Sequence, residues 1–258
     1  MPHLRNRNSG TLIVHHDPRS PASEAFRTLR TNLEFVSPDR PVRSLLVTSP
    51  GPSEGKSTVA ANLAISLAQA GKQVVLVDAD MRKPVQHDVF SLPNGTGLTT
   101  ALVRGIMPDI LQETPVPGLR VITSGPIPPN PAELLGSSMM GALAGTLASE
   151  ADFVIYDVPP VVAVTDALVL APRLDGVLLT IRLGVTSRDA ARRAKQLLAG
   201  SRCHLLGVVL NHVKPGRGYG YYYYYYYYYY YYYGSNSAEE LSFEEAAAAV
   251  KSKATSGT

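Results

Sequence analysis

The sequence predicts an α/β fold, a mostly parallel sheet with helices on both faces, on three observations. Short runs of continuous apolar, β-branched residues recur, first at Ser44–Ser49 and Gln73–Asp78, and such runs suit strands buried on both faces. Segments of helical apolar spacing lie between them, the alternation that parallel crossovers require. The 258 residues, 45% of them hydrophobic, are enough to bury one large core.

Taken in order, residues 1–19 are polar apart from Leu12, Ile13 and Val14, and read as a loose N-terminal arm that includes the His15–His16 pair. A helix over 21–36 follows: Ser20 can cap it, Pro21 suits its first turn and Glu24 its positive end. Phe26, Leu29 and Leu33 share one face, and Glu24, Arg27 and Arg30 recur on another. After a turn at Pro38–Pro41 come the strand 44–49, a Pro/Gly-rich loop, and a helix over 57–70 stopped by Gly71. Beyond the second strand, further strands are expected at 119–123, 152–157, 175–182 and 204–210, with helices near 98–104, 131–149, 165–171 and 187–199. Asn130, Pro131 and Glu133 mark the start of the helix at 131. Residues 214–236 are of low complexity, and Ala238–Lys251 has the composition of a short terminal helix. The chain thus divides into an arm (1–19), one α/β domain (20–213) and a flexible tail (214–258).

Composition narrows the function. The net charge is only +3, and the excess lies in residues 1–44, with seven arginines against four acids. Charged residues amount to 17%, which disfavours a broad basic face for nucleic acid. The single Cys203 precludes an internal disulfide and reads as a small apolar filler. No run of roughly 18 apolar residues is present, and the first residues lack the apolar core of a secretion signal. A cytoplasmic protein that meets the membrane through a partner is therefore expected. The six histidines show no metal spacing. Of 15 tyrosines, only Tyr156 lies outside the segment 219–233.

Three segments carry chemistry. Between the first strand and its helix runs Gly51-Pro52-Ser53-Glu54-Gly55-Lys56-Ser57-Thr58. A loop turning into a helix N-terminus offers converging N–H groups to a phosphate chain. Gly55 permits close approach, Lys56 reaches the β/γ oxygens and the Ser57 hydroxyl can ligate Mg²⁺. Pro50 stands where the usual pattern has glycine. Asp78 and Asp80 leave the end of the second strand, followed by Arg82, and the bland reading of that segment is a turn with Asp80 paired to Arg82. Phe153–Asp157 is an apolar strand ending in one acid, the form of a second Mg²⁺-side carboxylate.

Gly55-Lys56-Ser57-Thr58, the Asp78/Asp80/Arg82 segment and Asp157-Val158-Pro159-Pro160, followed by a tyrosine cluster, resemble the bacterial tyrosine kinases of capsule and exopolysaccharide synthesis. These are deviant P-loop NTPases with a three-layer sandwich, unlike eukaryotic protein kinases. The resemblance covers about residues 18–233. It implies transfer of the ATP γ-phosphoryl group to tyrosine hydroxyls, with ATP and Mg²⁺ as cofactors. Carried over residue by residue, Gly51, Ser53, Glu54, Gly55, Lys56, Ser57, Thr58 and Arg82 would bind the nucleotide. Asn211, in Gly207–Asn211, would meet adenine. Ser57, Asp80 and Asp157 would serve the metal, and Asp78 would be the base or would orient the hydroxyl, its division of labour with Asp80 left open. The acceptors would be Tyr219, Tyr221, Tyr222, Tyr223, Tyr224, Tyr225, Tyr226, Tyr227, Tyr228, Tyr229, Tyr230, Tyr231, Tyr232 and Tyr233. Glu24, Arg27 and Arg30 match a subunit-contact helix, implying a ring-like homo-oligomer. The implied partners are a membrane-embedded polysaccharide co-polymerase that activates the kinase and a cognate tyrosine phosphatase, with no nucleic acid.

The alternative is a non-kinase ATPase switch of the partition or division-site type. Such a switch would place a lysine at Pro50 or Gly51 to reach across a dimer, and neither position has one. A dinucleotide oxidoreductase would need Gly-x-Gly-x-x-Gly after a strand, which is missing. A purely structural protein leaves the three acid-bearing strand ends unexplained. Arg188, Arg192, Arg193 and Lys195 read as solvated helix charge.

Overall fold

A computed structural model of the chain describes residues 12–36, 41–105 and 110–213. Within them the apolar runs form β1 (Ser44–Thr48), β2 (Val74–Asp78), β3 (Gln112–Glu113), β4 (Leu119–Ile122), β5 (Phe153–Asp157), β6 (Gly176–Arg182) and β7 (Leu205–Asn211). They make one sheet in the order β3-β4-β2-β5-β1-β6-β7. Every pairing is parallel except that of the short β3 on β4. No local pattern announces β3, because two residues are too few to show an apolar period.

Helices cover both faces, as expected. On one side lie α1 (Ile13–His16), α2 (Pro21–Phe35) and α3 (Lys56–Gln69); on the other α5 (Leu98–Arg104), α6 (Pro131–Gly136), α7 (Ser138–Glu150), α8 (Asp166–Leu170) and α9 (Arg188–Gly200). Alternation along each strand divides the core in two. Leu45, Val47, Leu76 and Ile155 pack under Val59, Leu63 and Leu67 of α3. Leu46, Val75, Val77 and Tyr156 pack on Leu135, Leu143, Leu170 and Leu198. Burial of β1, β2 and most of β5 on both faces is what their unbroken apolar character required.

Two expectations change. The helix expected over 131–149 is broken at Ser137, whose backbone is extended (ψ 159°). Its Oγ accepts from the Met140 N–H and donates to the Leu134 carbonyl, so one hydroxyl ends α6 and caps α7. The second change concerns residues 12–19, which are not loose. Val14 is fully buried against α3, its N–H donates to Asn62 Oδ1 at 3.0 Å, and its carbonyl accepts from Gln69 Nε2. Ser23 Oγ contacts the carbonyls of Ile13 and Asp17 at 3.2 and 2.7 Å, binding the turn to α2. Four residues are too short for a periodic signal, and burial of Leu12 and Val14 supplies the driving force instead. Residues 1–11, most of the turn at 38–41, and all of 214–258 with the tyrosine run lie outside the described residues.

Candidate nucleotide and phosphoryl-transfer site

The site lies at the carboxyl ends of three neighbouring strands, where a doubly wound sheet places its ligands. Asp157 at the end of β5 is in register with Val47 of β1 on one side and Asp78 of β2 on the other. The loop from β1 into α3 therefore meets both acid-bearing ends.

That loop is built on left-handed backbone. Ser53 has φ 60° and Gly55 φ 93°, immediately before the first residue of α3. Gly55 is needed twice over, because a Cβ there would also strike the Asn211 side-chain amide. Asn211 Nδ2 donates to the Glu54 carbonyl at 3.0 Å, and Arg182 donates to that of Ser53 at 3.3 Å, so the ends of β7 and β6 brace the loop. Glu54 is buried, with Oε1 accepting from Thr186 Oγ1 at 2.7 Å and Oε2 without a partner among the described residues. Beside the loop opens a cleft of about 390 Å³, lined by Pro50, Gly51, Val162, Ala163 and Val185 among others.

Lys56, Ser57, Asp80 and Asp157 converge. Lys56 Nζ lies 2.8 Å from Asp80 Oδ2, 3.1 Å from Asp157 Oδ1 and 3.1 Å from Ser57 Oγ. Burial alone would lower the lysine pKa; the charges of Asp157 and Asp80, with their hydrogen bonds, outweigh it and raise the value. The ammonium is therefore a fixed positive charge among buried acids. Two buried carboxylates share one lysine, and the remaining negative charge suits a divalent cation. Among the described residues no group of three or more His, Cys, Asp or Glu side chains forms a ready metal cage. Mg²⁺ needs none, since it is held by one or two protein oxygens, waters and nucleotide phosphates. Ser57 Oγ and Asp157 fit that requirement, with Asp80 adjacent.

Asp78 faces elsewhere. Its Oδ2 accepts from the N–H groups of Val85 and Gln86 at 3.0 and 2.9 Å, and its Oδ1 from that of Asp80 at 3.3 Å. Burial, then the neighbouring Asp157 charge, pushes its carboxyl up to about 8. In this conformation both oxygens accept from backbone N–H groups, so Asp78 also organises the loop after β2. Arg82 does not pair with Asp80, as the bland reading of that segment had it. It makes a two-point contact with buried Asp166 at 2.7 and 3.1 Å, joining the loop to α8. Thr58 lies in the first turn of α3, where its carbonyl accepts from Asn62.

Glu24 and Arg27 pair with each other at 2.6 Å, and Arg30 donates to the Ser66 carbonyl of α3 at 2.8 Å, so this stripe has partners within its own chain. Sequence reasoning missed Gln86, Asp166 and Thr186. Gln86 heads α4 (Gln86–Phe90), and its side chain reaches both Ser57 and Asp157. No local pattern marks a lone glutamine as such a bridge, whereas Asp166 was visible as an acid interrupting an apolar run.

Residues 45–248 match the family model described as the CobQ/CobB/MinD/ParA nucleotide binding domain. The tyrosine-protein kinase YwqD of Bacillus subtilis (strain 168) is 46% identical over 219 residues, which cover 84% of this chain and 92% of that protein. The chain belongs to the bacterial tyrosine kinases. Solved structures agree. The chimerical protein CapA2B2 superposes with a TM-score of 0.76 at 44% identity, over 79% of this kinase and 90% of that chain. The kinase domain of Escherichia coli ETK gives 0.74 at 31% identity, over 81% and 84%. Kinase relatives matching along nearly their whole length decide against the non-kinase switch. Among the described residues of the kinase, no helix is long and apolar enough to cross a membrane.

Proposed function

We propose that this tyrosine kinase moves the γ-phosphoryl group of ATP, with Mg²⁺, onto Tyr219 and Tyr221–Tyr233 of another copy, and thereby regulates polysaccharide synthesis and export. The observation that carries the reading is the meeting of Lys56 with Asp80, Asp157 and Ser57 beside the phosphate loop. Supporting it, Tyr156 is the one tyrosine among the described residues, and it is fully buried. Its hydroxyl has no partner among the described residues, and burial pushes its pKa up. Acceptors within the chain must then come from 219–233.

In the transfer, the phenol oxygen bonds to the γ-phosphorus as the bond from that phosphorus to the β–γ bridging oxygen breaks, and ADP departs. Ser57 and Asp157 would hold Mg²⁺, which would neutralise phosphate charge when bound. Lys56 leaves its acids for the phosphate oxygens. Asp80 Oδ2, relieved of that partner, is the carboxylate oxygen suited to receive the phenolic proton. The apolar walls of the adjoining cleft suit an aromatic ring. Arg82 and Asn211 act on the nucleotide by holding the surrounding loops. We further assign Glu24, Arg27 and Arg30 to subunit contact, a membrane-embedded co-polymerase as activator and membrane anchor, and a phosphatase that resets the tail.

The test is incubation with labelled ATP and Mg²⁺, followed by mass spectrometry. Phosphate on 219–233 that disappears with Asp157→Asn is the expected result. A tail that stays unmodified while ATP is hydrolysed would overturn the assignment of the acceptors.

A further inference from the structure

At the start of α4, just beyond the loop after β2, stands a residue that touches three parts of the site and carries no charge. Gln86 is fully buried. Its backbone N–H donates to Asp78 Oδ2 at 2.9 Å. Its side-chain Nε2 donates to Asp157 Oδ2 at 2.8 Å and to the Ser57 carbonyl at 3.1 Å. One residue thus ties the ends of β2 and β5 to the first turn of α3.

We propose that Gln86 is a positioning residue for Asp157: its amide holds one carboxylate oxygen so that the other is presented to a cation. The division of the carboxylate is visible, with Oδ2 on Gln86 and Oδ1 on Lys56. A neutral donor suits this purpose. An arginine or lysine there would consume the charge that a metal needs, and an acid would repel it. Released from the amide, Asp157 could turn both oxygens to Lys56 and hold the ammonium away from the phosphates.

A purely structural role accounts poorly for the choice of residue. Gln86 Oε1 is buried and finds no partner among the described residues. A buried acceptor left without a partner is costly, and an apolar residue would avoid that cost. The open acceptor points to a donor carried in with the ligands. Gln86 is also the residue where the loop of Asp78 and Asp80 is joined to the phosphate-loop helix, so the two arms of the site share one register.

The inference rests on reading this site as a Mg²⁺–nucleotide centre, and the test separates the two. A fluorescent ADP analogue is titrated against the full chain, with saturating Mg²⁺ or with EDTA, for wild type, Gln86→Met and Gln86→Leu. Wild type should bind more tightly with Mg²⁺. Both variants should lose about tenfold of that enhancement, the scale for residues that orient a metal ligand, while affinity in EDTA stays within about twofold. Gln86→Asn, one methylene shorter, should recover part of it. Should Gln86→Met fail to fold, Gln86→Leu removes the donor without adding a charge. An undiminished Mg²⁺ enhancement in a folded variant overturns the proposal, as does an equal loss with and without Mg²⁺. No enhancement in wild type would overturn the metal reading itself.

Discussion

Lys56 has two tasks that conflict. It must reach phosphates when nucleotide is bound, yet in this conformation it is the counter-ion of two buried acids. Replacing it by methionine is therefore more than the loss of a phosphate contact. Asp80 and Asp157 would be left buried without a cation, a situation that costs about 3–5 kcal/mol unless the acids take up protons. Lys56→Met should abolish tail labelling and also lower the melting temperature of the nucleotide-free protein, by more at alkaline than at acidic pH. Melting curves equal to wild type would show that water already screens the pair. Asp78 makes the opposite prediction. Its carboxyl is raised to about 8 from an ordinary value of 3.8, so the folded protein holds a proton there that the unfolded chain releases. Stability must then fall as pH rises through that window. Asp78→Asn can still accept the two amide hydrogen bonds. It should stabilise the nucleotide-free protein by about 1–3 kcal/mol at the upper end of the window and little at the lower end. Denaturant melts across that range check it; a pH-independent difference would refute the assignment.

Among the elements, α2 shows how an exposed-looking stripe divides. The Glu24–Arg27 pair is about a third exposed and worth a few tenths of a kcal/mol in its own chain. Arg30, bonded to α3, should matter within the monomer: Arg30→Ala should cost about 1–2 kcal/mol of stability. Val14→Ala should cost about 2 kcal/mol, from lost methyl groups and the space they leave. Glu24→Ala and Arg27→Ala should instead leave melting nearly unchanged and act on particle size in light scattering. Equal melting losses for all four variants would contradict this separation. The same region marks where the sequence was legible. The strands and the start of α2 were readable because long apolar periods and capping residues are local signals. The turn at Ile13–His16, the break at Ser137 and the partner of Arg82 were not, because each depends on what lies across the fold. The acids of the site could be named from strand ends, but which of them faced Lys56 could not.

For the whole molecule, charge separates two states of the chain. The unmodified tyrosine run is uncharged, in a chain of net +3. Each phosphate adds about −1.5 to −2, so five would bring roughly −8 to −10. Tails gathered in an oligomer should then repel one another, and a charged tail should be a poor guest in a site lined by Asp80 and Asp157. Lys56→Met protein phosphorylated by a wild-type copy is expected to show smaller particles in light scattering than before. Unchanged size at high phosphate stoichiometry would refute the switch while leaving the kinase intact.

The sheet order has a consequence for how such a molecule comes into being. β1 and β2 follow each other in the chain, yet they are not neighbours; β5 fills the gap between them. A nascent chain that has reached only residue 150 holds β1 to β4, and of these β1 and β2 each present an open edge along the future centre of the sheet. Such edges invite pairing with other chains. The phosphate loop is made early, but the carboxylate that completes it, Asp157, sits on the strand that closes the gap. Catalytic competence and relief from aggregation should therefore arrive together during synthesis, through the insertion of one five-residue strand.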